Sequence, residues 1–486
     1  MTSRTDLSTF VKAYDVRGLV PEQLDSRVSR ALGSAFARAV ILPEGATSLV
    51  IGYDMRPSSP ELSRAFAEGA AQHGVDVTII GLCSTDGLYF AAGHLDVPGA
   101  MFTASHNPAA YNGIKLCRAG ARPVGQESGL AQVRDLAQAI LDGDDPSDDR
   151  EGERRTGAII ERDLLGEYAA FLRSLVDLSS PRRNRPIKVV VDAGNGMGGL
   201  TVPAVLGDAA GLPALPLEVV PLYFELDGTF PNHEANPLEP ANLVDLQRAV
   251  VEHGADVGLA FDGDADRCFA VDERGEAVSP SAITGLIVSR ETARMTQTGA
   301  SAADLTFVHN VITSRAVPEV VAEVGARAVR TRVGHSFIKA TMAENGAVFG
   351  GEHSAHYYFK DFWYADTGML AAMHVLAALG EQDGPLSELV ARYDRYAASG
   401  EINSTVDDQA ARSAEVTAWA RERGLDVDEL DGLTATHEAD GDGPLWWINV
   451  RPSNTEPLLR LNVEAADRPT MERVRDEVLT IIRGKA

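Results

Sequence analysis

Asp262, Asp264 and Asp266 alternate along a short stretch that ends on Arg267, directly after the apolar run Asp256–Phe261. Carboxylates at this spacing form an oxygen-rich cage for a hard divalent cation. The same spacing fits a calcium EF-hand loop, and Glu273 falls at that loop's last ligand position. Against that reading, Arg267 stands where an EF-hand needs glycine, and strand-like runs rather than helices flank the loop. A solvated acidic turn is a further reading. So is an aspartyl-phosphate hydrolase using Asp262 and Asp264, which leaves the remaining motifs unexplained.

A second constellation is Thr103-Ala104-Ser105-His106-Asn107-Pro108, after the apolar Gly99–Phe102. A serine on a turn that follows a strand can be presented as a nucleophile beside polar groups. It would serve equally as a cap before Asn-Pro. Lys115 follows in the same segment and could neutralise phosphate or move a proton. A third is Gly350-Gly351-Glu352-His353-Ser354-Ala355-His356. Glu352 can accept hydrogen bonds from two neighbouring sugar hydroxyls in a fork, and His356 can act as acid or base near neutral pH. The alternative is a glycine turn before the aromatic Tyr357–Phe359. A fourth is Arg451-Pro452-Ser453-Asn454-Thr455-Glu456-Pro457. It is either a phosphate cradle of guanidinium, hydroxyls and backbone N–H groups or a polar hairpin loop. Taken together the four supply a nucleophile, a cation site, a hydroxyl reader and a phosphate anchor. That set suits phosphoryl transfer to a sugar, where positioning and charge neutralisation supply the rate.

These motifs need a scaffold, and the chain alternates apolar strand runs with amphipathic helical stretches. Ser48–Asp54, Val77–Leu82, Ala100–Thr103, Lys188–Asp192 and Asp256–Phe261 read as strands, and Pro60–His73 as a helix. Strands followed by helices imply βαβ units in mostly parallel sheets. A strand ending on Asp and a turn recurs at Asp54, Asp192 and Asp262, which suggests three similar α/β domains in series. The polar stretch Asp142–Gly157 reads as a linker. The last hundred residues differ. Helices Ala410–Glu422 and Pro469–Ile482 bracket strands Leu433–His437, Leu445–Val450 and Pro457–Val463, an α+β layer with an antiparallel sheet. The expected domains are 1–153, carrying Ser105; 154–255; 256–378, carrying the metal and sugar loops; and 379–486, carrying the phosphate cradle.

The 486 residues are 44% hydrophobic and 23% charged, enough apolar material for several cores. The 44 Lys+Arg against 70 Asp+Glu leave a net charge of −26, which argues against nucleic acid as a partner. An anionic substrate would need a local basic pocket. The three cysteines, Cys83, Cys117 and Cys268, have no paired spacing, which suits a reducing cytoplasm and excludes a cysteine-based zinc site. Met1–Asp15 has no apolar core of a signal peptide, and no apolar run approaches the roughly 18 residues of a membrane span.

At these motifs the sequence resembles the α-D-phosphohexomutase superfamily, and within it the bacterial phosphomannomutase/phosphoglucomutase group. Lys12–Gly18, Phe230-Pro231-Asn232-His233 with Asn236-Pro237, and Val333–Ser336 add to the match, which runs along nearly the whole chain in the family's order. The resemblance implies four domains around a central cleft: three similar mixed or parallel α/β domains, then a C-terminal α+β domain with an antiparallel sheet. It implies that Ser105 is a phosphoserine whose phosphate joins Asp262, Asp264 and Asp266 around Mg²⁺. Arg267, Arg17 and Lys115 would line the transfer site, with His356 beside them. Tyr14, His335, Glu352, Ser354 and His356 would contact the substrate, and Arg451, Ser453, Asn454 and Thr455 its non-reacting phosphate. The implied reaction interconverts hexose 1-phosphate and hexose 6-phosphate, of mannose, glucose or both. Hexose 1,6-bisphosphate is its intermediate and activator, and the expected partners are phosphorylated hexoses.

Two departures bear on the sugar. His353 and Ala355 stand where the dual-specificity enzymes typically have Met and Gly, and Ile312 stands where some carry a phosphate-contacting Lys. Phosphoglucosamine mutases usually carry Gln at the position of His353, which keeps that activity as an alternative. A non-catalytic sugar-phosphate or calcium-binding protein is the alternative of a different class, and it has no need of Ser105 beside His106 and a metal loop.

Overall fold

The computed structural model describes residues 5–12, 14–145, 155–179, 185–439, 443–453 and 458–484. The chain forms two compact units, Met1–Val278 with Ser354–Leu389, and Ser279–His353 with Val390–Ala486.

The first unit holds two mixed sheets. In one, the strands run in the order Val16–Leu19, Tyr111–Arg118, Gly99–Phe102, Ser48–Tyr53, Asp76–Leu82 and Ile159–Glu161. The central strands Gly99–Phe102, Ser48–Tyr53 and Asp76–Leu82 are parallel, as βαβ connections require, and their residues are mostly buried. Tyr111–Arg118, which sequence reasoning did not delimit as a strand, pairs antiparallel with Gly99–Phe102. Residues 103–110 therefore form a tight reversal between two paired strands, and Ser105 sits in it. Helices Ser26–Phe36 and Ser59–Ala71 cover this sheet at close range. A Cβ at Gly33 would lie 2.1 Å from the Phe66 carbonyl oxygen, so the small residue sets their approach.

The second sheet has the order Ala277–Val278, Cys268–Asp272, Val257–Phe261, Ile187–Asp192 and Leu217–Leu222. Val257–Phe261 runs parallel to Ile187–Asp192 and antiparallel to Cys268–Asp272. The boundary expected at 255/256 thus cuts one sheet, and the acidic loop 262–267 belongs with the second domain, not the third. The strand after the loop explains the difference: it turns back onto its predecessor and opens no new sheet. The boundary expected at 378/379 likewise falls inside helix Gly368–Gly380, and that at 153/154 lies outside the described residues.

In the second unit, Arg327–Thr331, Thr306–Asn310 and Phe349–Gly351 form a parallel ladder. The unit's other sheet is antiparallel throughout, with Leu458–Ala465 paired to Trp446–Pro452 and that strand to Leu433–His437. Helices Gln409–Glu422 and Arg468–Arg483 bury Val416, Trp419 and Val474 against it, the α+β arrangement read from the sequence. Among the described residues no helix is long and apolar enough to cross a membrane.

Candidate active site

In the first unit the serine turn meets the acidic loop. Ser105 Oγ donates to Asp262 Oδ2 at 2.9 Å and lies 3.1 Å from His106 Nδ1. Its backbone occupies the left-handed region, φ 49°, which costs a non-glycine residue about 1–2 kcal/mol and must be held by its surroundings. Its N–H donates to Thr103 Oγ1 at 2.9 Å. The neighbouring Gly263 is required: a Cβ there would lie 2.5 Å from the Ser105 carbonyl oxygen.

Arg267 joins the two segments. Its Nε donates to Asp262 Oδ2 at 2.9 Å and its Nη2 to His106 Nδ1 at 2.7 Å. Burial, with the positive charge of Arg267 and Arg17 nearby, pushes His106 far below the ordinary imidazole range. The ring is therefore neutral and accepts at Nδ1. Burial pushes Asp262 up, against the pull of Arg267. Burial alone would raise Asp264 too, but Lys115 outweighs it and holds that carboxyl below the usual range. Lys115 Nζ donates to Asp264 Oδ2 at 2.7 Å and to Asp266 Oδ2 at 2.6 Å. Arg17 donates to Asn107 and Asp15, which places it against the serine turn. Tyr14 is half-buried just before the strand that carries Arg17.

Asp262, Asp264 and Asp266 each offer one oxygen within 4.8 Å of the others. Asp264 Oδ1 and Asp266 Oδ1 are buried with no hydrogen-bond partner among the described residues, an arrangement costly in a protein and natural in a cation site. The donor set fits a small divalent cation. His356 lies at this loop: its Nδ1 is 2.9 Å from Asp366 Oδ2 and 3.9 Å from Asp266 Oδ1, and its backbone bridges to Arg267. Burial lowers its pKa, but Asp266 and Asp366 together win and raise it.

The second unit carries the other motifs. Glu352 is buried, its Oε1 accepting from Asn310 Nδ2 at 3.0 Å and from Gly334 N at 3.2 Å. His335 opens helix His335–Asn345, the next residue after Gly334. His353 closes the unit's first segment, and Ser354 begins the return to the other unit. Burial lowers the pKa of His353, so its ring is neutral at pH 7. Arg451 Nη2 donates to Glu401 Oε2 at 2.7 Å, and its Nε is buried with no hydrogen-bond partner among the described residues. Ser453 is buried next to it, and Asn454 and Thr455 lie outside the described residues. Ile312 is buried with its N–H on Asn310 Oδ1. Ala355 has φ 64°, a conformation that favours glycine.

Four residues escaped sequence reasoning. Arg56 donates to the carbonyls of Ser105 and Asn107 in the serine turn. Thr85 donates its hydroxyl to Asp264 Oδ2 at 2.6 Å. Glu401 holds Arg451, and Arg460, directly across the ladder from Arg451, shares that carboxylate at 3.1 Å. No local pattern marks them; only the repeated strand-Asp-turn pointed near Arg56.

A serine hydrogen-bonded to a buried, cation-fitting aspartate loop is an arrangement suited to phosphoryl transfer. Four profiles described as phosphoglucomutase/phosphomannomutase match in order: α/β/α domain I at residues 9–141, domain II at 166–275, domain III at 282–396 and the C-terminal domain at 401–481. The chain is 40% identical to a phosphomannomutase of Salmonella montevideo over 98% of its own length and 99% of that protein's. It is 39% identical to a Xanthomonas campestris protein described as phosphohexose mutases, over 97% of its length and 99% of that protein's. A crystal structure of a phosphoglucomutase/phosphomannomutase family protein from Burkholderia thailandensis superposes with a TM-score of 0.82 at 28% identity, covering 98% of both chains. The chain belongs to the phosphoglucomutase/phosphomannomutase family, and it is a phosphohexomutase.

Proposed function

We propose that the chain interconverts the 1- and 6-phosphates of mannose and glucose through a phosphoserine at Ser105 and a hexose 1,6-bisphosphate. The observation that carries this reading is the bond from Ser105 Oγ to Asp262, with neutral His106 beside that hydroxyl and charged Arg267 donating to both Asp262 and His106. The O6 hydroxyl of a hexose 1-phosphate attacks the phosphorus of phosphoserine 105. The bond from phosphorus to Ser105 Oγ breaks and its electron pair stays on that oxygen, where Arg267 and Lys115 offset the charge. His356, its Nδ1 held by Asp366, takes the O6 proton. Asp262, Asp264, Asp266 and an oxygen of the serine phosphate would hold Mg²⁺, which supplies charge neutralisation at the transferring group. The bisphosphate then turns end for end and returns its other phosphoryl group to Ser105.

Glu352 and Ser354 read the sugar hydroxyls, with Tyr14 and His335 as further contacts. Arg451, Ser453, Asn454 and Thr455 grip the distal phosphate, and the shared carboxylate of Glu401 suggests Arg460 beside them. The enzyme works in the cytoplasm, consistent with its buried free cysteines. A related fungal N-acetylphosphoglucosamine mutase has been crystallised with glucose 1,6-bisphosphate, which makes that compound the natural probe. Incubation with it followed by intact-mass measurement should add one phosphoryl group to the wild type and none to Ser105→Ala. No uptake by the wild type would sink the phosphoserine reading.

A further inference from the structure

Arg56 is 1% exposed, three residues beyond the end of strand Ser48–Tyr53. Its Nε donates to Asp54 Oδ2 at 3.2 Å. Its Nη1 donates to the carbonyls of Pro108 at 3.0 Å and Tyr111 at 2.9 Å, and its Nη2 to those of Ser105 at 2.9 Å and Asn107 at 2.7 Å. A guanidinium has five N–H donors, so all five are committed, three of them to backbone oxygens of the turn that carries the serine and one to that of Tyr111, which opens the strand after it. The side chain cannot at the same time contact a phosphoryl group. The Phe230 ring lies 5.2 Å from its central carbon, and a Cβ at Gly228 would come within 2.7 Å of its Cα, so the second domain closes over it.

Burying a guanidinium is costly even with a partner carboxylate, and ordinary turn stability does not call for one. What this turn does need is a strained serine held still. Ser105 sits at φ 49°, its N–H is tied to Thr103, and its C=O is pinned between Arg56 and Gly263. We propose that Arg56 is a positioning residue for phosphoryl transfer: it fixes the Ser105 peptide so that Oγ stays aligned with Asp262 both as leaving group and as acceptor. The inference rests on the reading of Ser105 as phosphoryl carrier. A displacement of about 1 Å at a reacting atom can cost about 100-fold in rate, whereas substrate affinity is set elsewhere.

Arg56→Lys tests it, because an ammonium is a point donor that cannot span four carbonyls. The single-turnover rate of phosphoryl uptake from glucose 1,6-bisphosphate, per folded molecule, should fall by about 100-fold, with KM for hexose 1-phosphate within about threefold of wild type. Uptake within threefold of wild type would overturn the inference, as would a loss that only tracks the folded fraction. If Arg56→Lys does not fold, Phe230→Leu decides, since it loosens the same guanidinium and leaves every carbonyl in place. There, uptake slowed about threefold or more at unchanged KM supports the inference, and an unchanged rate overturns it. Wild-type protein that takes up no phosphoryl group would instead remove the Ser105 reading beneath it.

Discussion

Thr367 Oγ1 donates to Asp86 Oδ2 at 2.6 Å across 281 residues of chain. The same carboxylate accepts from Tyr168 OH at 2.8 Å and from Ser84, so a single buried acid ties together three helices of the first unit. Burial pushes Asp86 up to about 6, with the hydroxyl donors pulling the other way.

A carboxyl whose folded pKa exceeds its unfolded value binds its proton more tightly when folded. Its contribution is therefore fully present below the unfolded value of 3.8 and is lost as pH rises through about 6. Fully buried, the group is worth roughly 3 kcal/mol across that window. Asp86→Asn carries no proton to lose. Urea midpoints at pH 4.5 and 7 should show the wild type losing ground to Asp86→Asn as pH rises. Parallel pH profiles would contradict the assignment.

Chelation by EDTA should abolish turnover, and Mg²⁺ should restore it while Ca²⁺ does so poorly. Three carboxylates and a phosphate oxygen form a compact set, better suited to a small cation than to the large, flexible shell of calcium. Steady-state assays of the stripped enzyme check this. An undiminished rate in EDTA would remove the metal from the mechanism, and full activity with calcium would point back to an EF-hand-like loop.

Arg451→Ala should weaken hexose 1-phosphate and hexose 6-phosphate alike, each by roughly 1.5–3 kcal/mol, because one cradle must grip the distal phosphate in both orientations. Titration calorimetry in a Ser105→Ala background separates binding from turnover. Weakening of one substrate alone would require a second phosphate site, to be sought near His335 or Lys339.

Mannose and glucose 1-phosphates should both turn over, with kcat/KM values within about 100-fold of each other. The two sugars differ only at C2, and Glu352, with its Oε1 fixed by Asn310 and Gly334, suits the equatorial O3 and O4 they share. Removing the C3 hydroxyl should therefore be far more damaging, by as much as about 10⁴-fold. A larger epimer preference would show that C2 is read, and would point first at His353.

How far the site was legible depended on how local each signal is. Ser105 and Asp262 announce themselves because a turn chemistry follows an apolar run, and the strands before them end within a residue or two of their expected places. Arg56, Thr85, Glu401 and Asp86 carry no such mark. Each acts on a partner distant in sequence, and nothing in a neighbouring residue distinguishes a buried arginine from a solvated one. The boundary at 255/256 failed for a related reason. The third strand-Asp-turn looked like the opening of a new domain, whereas the antiparallel return of Cys268–Asp272 makes it the middle of the second.

The first unit is not continuous in sequence: residues 279–353 intervene before 354–389 complete it. On the ribosome, at about 5–20 residues per second, the returning segment emerges roughly 4–15 s after residue 278. During that interval the nascent chain lacks Thr367 and His356, and Asp86 waits without one of its three donors. Nascent chains stalled before residue 354 should accordingly be the form of this protein that most needs a chaperone.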